Sequence, residues 1–230
     1  KVIKPGVAEV KDFIQAGKTD KNVMPYEMVD FVNEQTQLQA LSRSGGDLEL
    51  LKDFIAAGYP VIIEKGYYEA DYTGKVAWLG HYQFVTGYDD QAGHFIVQDT
   101  YNDGPDFAVE YELLKEGWRS FNYIFVVVYP PERETEVTQL LGLWRDEVWA
   151  RQSALSVAQE EEPKLEGNDQ FFAIFNQGSS LVTLQRYQEA AAAYDRAFAL
   201  YAELGKDETQ RPYRLIWYQT GPYFAYYETG

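Results

Sequence analysis

Apolar residues recur at helical spacing in two stretches near the start of the chain. Pro25 precedes apolar positions spaced along residues 26–32, and proline is favoured in the first turn of a helix. Asp47 can cap a second helix, which ends at Gly58. Its apolar face comprises Leu48, Leu51, Phe54 and Ile55.

Alternating and β-branched stretches follow, separated by breaks rich in Gly and Asp. They predict strands at residues 59–64, 81–88, 94–99, 107–111 and 122–129. Few helical patterns separate the later strands, which favours an antiparallel sheet in an α+β domain. Because Pro130 and Pro131 end the last strand, we place the first domain at residues 1–131.

From Glu132 onward the apolar period is helical. One stripe, interrupted at Gly142, contains Val137, Leu140, Leu141, Trp144 and Val148. We predict a helical linker at residues 132–164, with a hinge or loop at residues 160–163. An all-α segment then occupies residues 165–230.

Composition excludes several classes of function. The chain is 46% apolar and 16% aromatic, and its net charge of −16 disfavours nucleic acid and anionic membranes as partners. The longest apolar run, residues 124–129, is far shorter than the ~20 residues of a membrane helix, so we expect no membrane insertion. There is no Cys and there are two His, so we expect no metal centre and no cofactor.

The candidate chemistry lies in a predicted hairpin. Residues 89–93 are turn-forming and join two alternating runs, which centres the hairpin near Asp90. This pairing places His81 opposite Asp99, ~5 Å apart at Cβ, and turns His94 to the other face. A His oriented by an Asp is half of a catalytic triad; a structural His–Asp pair is the alternative.

Several motifs surround this hairpin: GHYQFVTGYD at 80–89, FIVQD at 95–99, GDLELL at 46–51, AGYPVII at 57–63, Trp118, and VVVYP at 126–130. Together they resemble the papain-like cysteine peptidases related to the bacteriocin-leader-processing family. The resemblance covers residues 1–131 and implies a papain-like fold, peptide-bond hydrolysis, His81 as general base and Asp99 as the acid that orients it.

The resemblance also implies a Cys nucleophile on an N-terminal helix, with an upstream Gln at the oxyanion hole. This chain has no Cys, and no Ser or Thr occupies the matching position, so as given it is expected not to cleave peptides by thiol chemistry. Two explanations stay open: the Cys precedes Lys1, or it has been lost and the protein is a pseudo-peptidase that binds peptides or proteins. The resemblance indicates a bacterial source, and export from the cell is left open.

The last segment resembles tetratricopeptide repeats. In that family's pattern, the small residues Gly178 and Ala190 let two antiparallel helices approach, while Leu181 and Tyr194 fill the seam. The alternative for this segment is a pair of ordinary amphipathic helices. For the whole protein, a third functional interpretation is a bare scaffold in which the His–Asp pair is dispensable.

A second repeat is predicted to start at residues 217–224, with Thr220 where Leu is usual. Gly221 follows Gly178 by 43 residues rather than about 34, so we expect an insertion near residues 205–212. The second repeat is incomplete at Gly230.

Three further patterns have two interpretations each. Residues 99–104 with Glu110 approach a calcium-loop pattern, but strands flank them, so a solvated turn is favoured. The aromatic loop at residues 67–74, leading to Trp78, either walls a peptide cleft beside His81 or packs over the sheet edge. A C-terminal aromatic cluster either lines a groove or, as we favour, fills the seam between helices; it comprises Trp217, Tyr218, Tyr223, Phe224, Tyr226 and Tyr227.

Overall fold

An antiparallel sheet forms the centre of the structure. The computed structural model describes residues 22–70, 73–99, 105–205 and 211–230. The strands are β1 (Gln39–Arg43), β2 (Val61–Ala70), β3 (Val76–Asp89), β4 (His94–Gln98), β5 (Phe107–Glu110) and β6 (Phe125–Tyr129). Every neighbouring pair in the order β1-β6-β2-β3-β4-β5 is antiparallel, which confirms the predicted antiparallel sheet.

The strands differ from the prediction in several respects. Strand β3 begins at Val76 rather than at His81, and β6 begins at Phe125 rather than at residue 122. Strand β1 was not predicted, and β2 continues to Ala70, so the first half of the predicted 67–74 loop is strand. Gly66 explains the continuation, because it faces Gly80 in the β2–β3 ladder and a Cβ on it would overlap the Trp78 ring. The absence of a side chain there lets the two strands pair past a large buried ring.

The α-helices are α1 (Pro25–Gln35), α2 (Leu48–Ala56), α3 (Tyr111–Arg119), α4 (Glu134–Leu141), α5 (Glu147–Glu161), α6 (Gly167–Thr183), α7 (Tyr187–Glu203), α8 (Leu215–Tyr218) and α9 (Gly221–Thr229). The predicted starts of the first two helices are confirmed. Pro25 lies in the first turn of α1, and the Leu50 backbone N–H donates to Asp47 Oδ1 at 2.8 Å. No helix in the described part of the chain is both long and apolar enough to cross a membrane.

One face of the sheet packs against α2, α3 and α4. Alternate residues of β2, including Val61 and Ile63, point into this core, as the period of two in a strand requires. Trp118 of α3 is fully buried there, and its indole Nε1 donates to the Ile124 carbonyl at 2.6 Å. This core fixes the position of β3, the strand that carries His81.

The region between the sheet and the last helices is more ordered than predicted. Gly142 has φ of 53° and ends α4, so the predicted interruption is confirmed. Val148, which the stripe assigned to the core, is 53% exposed because α5 begins at Glu147 with a new orientation. The predicted hinge or loop at residues 160–163 coincides with the end of α5 at Glu161, where a 3₁₀ turn (Glu162–Lys164) leads to α6.

The opposite face of the sheet packs against the C-terminal helices. Trp78 is 1% exposed and stacks on Phe121, with ring centroids 5.7 Å apart. Helices α6 and α7 approach closely at Gly178, where a Cβ would lie 2.6 Å from the Tyr194 ring. This second core also contains Phe171, Phe172, Phe175, Leu181, Ala190, Ala193, Ala197, Leu215 and Ala225.

The turn between α3 and β6 joins the two cores through buried polar contacts. Arg119 Nη1 lies 2.9 Å from Asp169 Oδ1, and the Arg119 carbonyl accepts from Asn176 Nδ2 at 2.7 Å. Asn122, whose φ of 54° is left-handed, donates to Ser180 Oγ at 2.9 Å. The helices are therefore attached to the sheet by directional bonds as well as by apolar packing.

The favoured interpretation of the C-terminal aromatic cluster is wrong for most of its members. Helix α9 buries Pro222 and Ala225, and Gly221 at its start lies against the Tyr194 side chain of α7. Tyr218 packs at the edge of the second core. The exposed members are Trp217, Tyr223, Phe224, Tyr226 and Tyr227.

Several predictions concern residues outside the described ranges. These are residues 1–21, most of the approximate calcium loop at residues 100–104, and residues 206–210 within the predicted insertion.

Candidate functional site

A β-bulge places His81 on the same face of the sheet as Asp99. Next to the turn, Asp89 pairs with His94 and Gly87 pairs with Ile96, whereas beyond Thr86 the partner of Val85 is Val97. The extra residue at Thr86 shifts the pairing by one position, and a one-residue shift exchanges the two faces of a strand. Continued without the bulge, the ladder would direct His81 away from Asp99.

The predicted register is therefore wrong, although the predicted contact is present. The ladder Phe84↔Gln98 brings Gln83, not His81, opposite Asp99. His81 lies two residues further along and still reaches the carboxylate: its Nε2 is 2.8 Å from Asp99 Oδ1. A register shift of two residues conserves the face, so the parity argument for choosing His81 over His94 holds.

Two side chains hold the Asp99 carboxylate. Gln83 Nε2 donates to Asp99 Oδ2 at 2.7 Å, while His81 engages Oδ1. The Asp99 side chain is only 3% exposed, and that of His81 is 13% exposed. Because an ionised carboxylate only accepts hydrogen bonds, Nε2 of a neutral His81 carries the proton and Nδ1 is the basic nitrogen.

Burial controls the protonation of His81. Desolvation lowers the pKa of its imidazole, the nearby Asp99 charge opposes this shift, and the charge of Lys65 adds to it. The net direction is downward, which favours a neutral imidazole able to accept a proton near neutral pH.

The neighbouring strand β2 contributes Lys65 and Tyr67 to the same face. Lys65 is the direct cross-strand partner of His81. The Tyr67 ring meets the His81 ring edge-on, with centroids 5.8 Å apart, and Lys65 Nζ lies 5.3 Å from the Tyr67 centroid. Of the aromatic residues predicted near this cleft, Tyr67 reaches His81, whereas Trp78 belongs to the opposite core.

The other face of β2 carries a buried acid, Glu64. Burial raises the pKa of Glu64 to about 8, partly offset by its hydrogen bond with Tyr82. The Tyr82 hydroxyl has one proton, which it donates to the Val23 carbonyl at 2.6 Å.

Glu64 borders a cavity of about 360 Å³ between the sheet and the C-terminal helices. Because Glu64 and Lys65 are consecutive in a strand, this cavity lies on the face opposite His81. Among the described residues, no group of three or more His, Asp or Glu side chains could hold a metal ion.

A family model described as the Peptidase_C39 like family matches residues 8–124, just over half of the chain. The chain belongs to this family. Membership in the C39-like family confirms a peptidase-like domain and agrees with the papain-like part of the predicted fold. The tetratricopeptide-like part, residues 165–230, lies beyond this match and stays a prediction.

No curated protein matches the chain. Among solved structures, that of a C39-like peptidase from Bacillus anthracis aligns at 19% identity with a TM-score of 0.31. The alignment covers 39% of this chain and 50% of that chain, so the match spans half the length of the relative.

Sequence reasoning missed Lys65. It placed Gln83 on the face of His81 without its contact to Asp99, and it placed Tyr67 in a loop with two open interpretations. A signal for Lys65 was present, since it is a polar residue at a core-facing position of an otherwise apolar strand. Buried polar side chains in strands need partners, and such positions are therefore candidates for a site.

Proposed function

We propose that His81 and Asp99 are the general base and orienting acid of a cysteine peptidase. The observation that supports the proposal is the 2.8 Å bond that His81 Nε2 donates to Asp99 Oδ1, because it leaves Nδ1 as the nitrogen that would take a proton from a thiol. Gln83 supports this role, because its bond to Oδ2 holds the carboxylate in one orientation. Membership in a peptidase-like family agrees with the chemistry.

The test measures hydrolysis of fluorogenic peptides by the gene product that contains these 230 residues, with and without iodoacetamide. We expect His81→Ala to lower kcat/KM by about 100-fold or more, which is the usual contribution of a general base. His94→Ala is the matched control, because the chain has two His and His94 lies in β4 opposite Asp89. Equal activity of the two variants would contradict the proposal.

A second candidate function is a non-catalytic pseudo-peptidase that binds peptides or proteins. It is favoured by one observation: this chain has no Cys, and the resemblance implies that the nucleophile is a Cys. This candidate predicts peptide binding without hydrolysis, insensitive to iodoacetamide. Iodoacetamide-sensitive hydrolysis that depends on His81 excludes it.

We further propose that the C-terminal helices are tetratricopeptide-like and bind a peptide or protein partner. The packing supports this proposal, because Tyr194 of α7 fills the space left by Gly178 of α6 and also meets Gly221 of α9. A repeated contact between small residues and one ring is the arrangement expected when successive helices stack. The exposed aromatic side chains of α8 and α9, Trp217 and Tyr227 among them, provide contact area for such a partner.

A further inference from the structure

Lys65 occupies an exceptional position beside His81. Its stem is partly buried against α3, where a Cβ on Gly117 would lie 3.6 Å from the Lys65 Cβ. Its ammonium group lies over the Tyr67 ring at 5.3 Å from the centroid. Because Lys65 is the cross-strand partner of His81, its side chain lies on the face of the sheet that carries His81.

Within the described residues the Lys65 ammonium forms no ion pair or hydrogen bond, and its one cation–π contact is with the Tyr67 ring. The charge of Asp99 acts on Lys65, but the two Asp99 oxygens are engaged by His81 and Gln83 at 2.8 Å and 2.7 Å. Burial lowers the pKa of the ammonium and outweighs the opposing effect of Asp99, so the charge of Lys65 is only partly compensated.

A partly buried cation whose charge is incompletely compensated is unusual in a protein with more acidic than basic residues. Asp and Glu number 36 against 20 Lys and Arg, so acidic partners for a cation are abundant on the chain. A partly buried, unpaired cation next to the proposed base is more readily explained by a ligand than by folding, because folding alone favours pairing or exposing it.

We propose that Lys65 binds a carboxylate of the peptide that occupies the cleft beside His81, so that acidic peptides are the preferred ligands. The proposal deepens the proposed function and rests on it, since that function identifies the cleft. A cross-strand neighbour lies ~5 Å away at Cβ, and an extended peptide advances ~3.3 Å per residue. The carboxylate is therefore expected within about two residues of the bond that faces His81.

Two sources supply the same carboxylate: an Asp or Glu side chain, or the C-terminus of the peptide. Three synthetic peptides distinguish them. Acetyl-Ala-Ala-Glu-Ala-Ala-amide carries a side-chain carboxylate, the Gln counterpart carries none, and acetyl-pentaalanine with a free C-terminus carries only the terminal one.

Binding is measured on the 230-residue chain by NMR, following the imidazole signals of His81 with His94 as reference. We expect the Glu peptide or the free-acid peptide to bind at least about tenfold more tightly than the Gln amide, as a charge-assisted hydrogen bond provides. Lys65→Met should abolish this preference, and Lys65→Arg should retain it. Lys164→Met, which removes an exposed charge from the 3₁₀ turn before α6, is the matched control and should leave binding unchanged.

Equal binding of all three peptides, or their failure to shift the His81 signals, overturns the proposal. A preference for the acidic peptides that persists in Lys65→Met and disappears only at high salt also overturns the proposal. Such a preference would come from the long-range electrostatic field of the whole protein and not from Lys65. These outcomes concern binding, so they are separate from the hydrolysis test. If the preference for acidic peptides depends on Lys65 but hydrolysis does not depend on His81, the catalytic role of His81 is rejected and the carboxylate site at Lys65 is retained.

Discussion

Replacing Glu64 with Gln should remove a large pH dependence from the stability of the protein. In the folded state burial raises the pKa of Glu64 to about 8, from an unfolded value near that of a free Glu, about 4.3. Between these values the unfolded chain has released the proton and the folded chain has kept it. Because the unfolded state then binds fewer protons, the free energy of unfolding falls as pH rises.

The magnitude follows from one proton per molecule, which corresponds to about 1.4 kcal/mol for each pH unit. From pH 5 to pH 7 the wild-type protein should therefore lose about 3 kcal/mol from this group. Gln is a neutral isostere of the protonated acid, so Glu64→Gln should have nearly wild-type stability at pH 5. At pH 7 it should be more stable than the wild type by about 3 kcal/mol.

The assay is urea unfolding of both proteins at pH 5, 6, 7 and 8, monitored by tryptophan fluorescence. The difference between the two free energies of unfolding isolates Glu64, because the other titrating groups are common to both. Glu69→Gln is the matched control, since Glu69 is exposed on the same strand and should leave the pH profile unchanged. Parallel profiles for the wild type and Glu64→Gln would refute the reasoning.

Three other changes have defined outcomes. Asp99→Asn should lower the pKa of His81, because the Asp99 charge raises it against the effect of burial; an NMR titration with His94 as reference measures this, and a rise would contradict it. Arg119→Met should reduce the free energy of unfolding in urea by about 3 kcal/mol, because it leaves Glu161 without its buried cation, and a change near zero would mean that the ion pair does not stabilise the interface. Gly178→Ala should destabilise the protein by about 1–3 kcal/mol in the same assay, because the new Cβ meets the Tyr194 ring; the gain normally seen for Gly→Ala in a helix would contradict this packing.

Local sequence signals predicted the parts of the fold that depend on local chemistry. Asp47 caps α2 because its carboxylate accepts from Leu50 N–H, and Gly142 ends α4 because it adopts a positive φ. The shared face of His81 and Asp99 was predicted from parity. Each of these features depends on a few neighbouring residues or on the period of two in a strand.

Features that depend on distant contacts were not predictable in the same way. The bulge at Thr86 has no strong local signal in the sequence. It changes the strand register and brings His81 and Asp99 to the same face of the sheet. The aromatic residues of α9 were assigned to a seam because rings are usually buried. The seam is instead formed where Gly221 lies against Tyr194 of α7 and where Ala225 is buried, and Tyr223 and Tyr227 are exposed.

Glu64 and Lys65 show two different ways in which the fold accommodates an ionisable side chain, one of them structural and the other, as we propose, functional. The two residues are consecutive in β2, and burial shifts the pKa of each toward its neutral form. For Glu64 burial is partly offset by Tyr82, whose hydroxyl also donates to the Val23 carbonyl. For Lys65 burial is partly offset by the charge of Asp99, but the Asp99 carboxylate is held by His81 and Gln83. Within the described residues Lys65 forms no hydrogen bond or ion pair of its own, which directs attention to a ligand that could provide one.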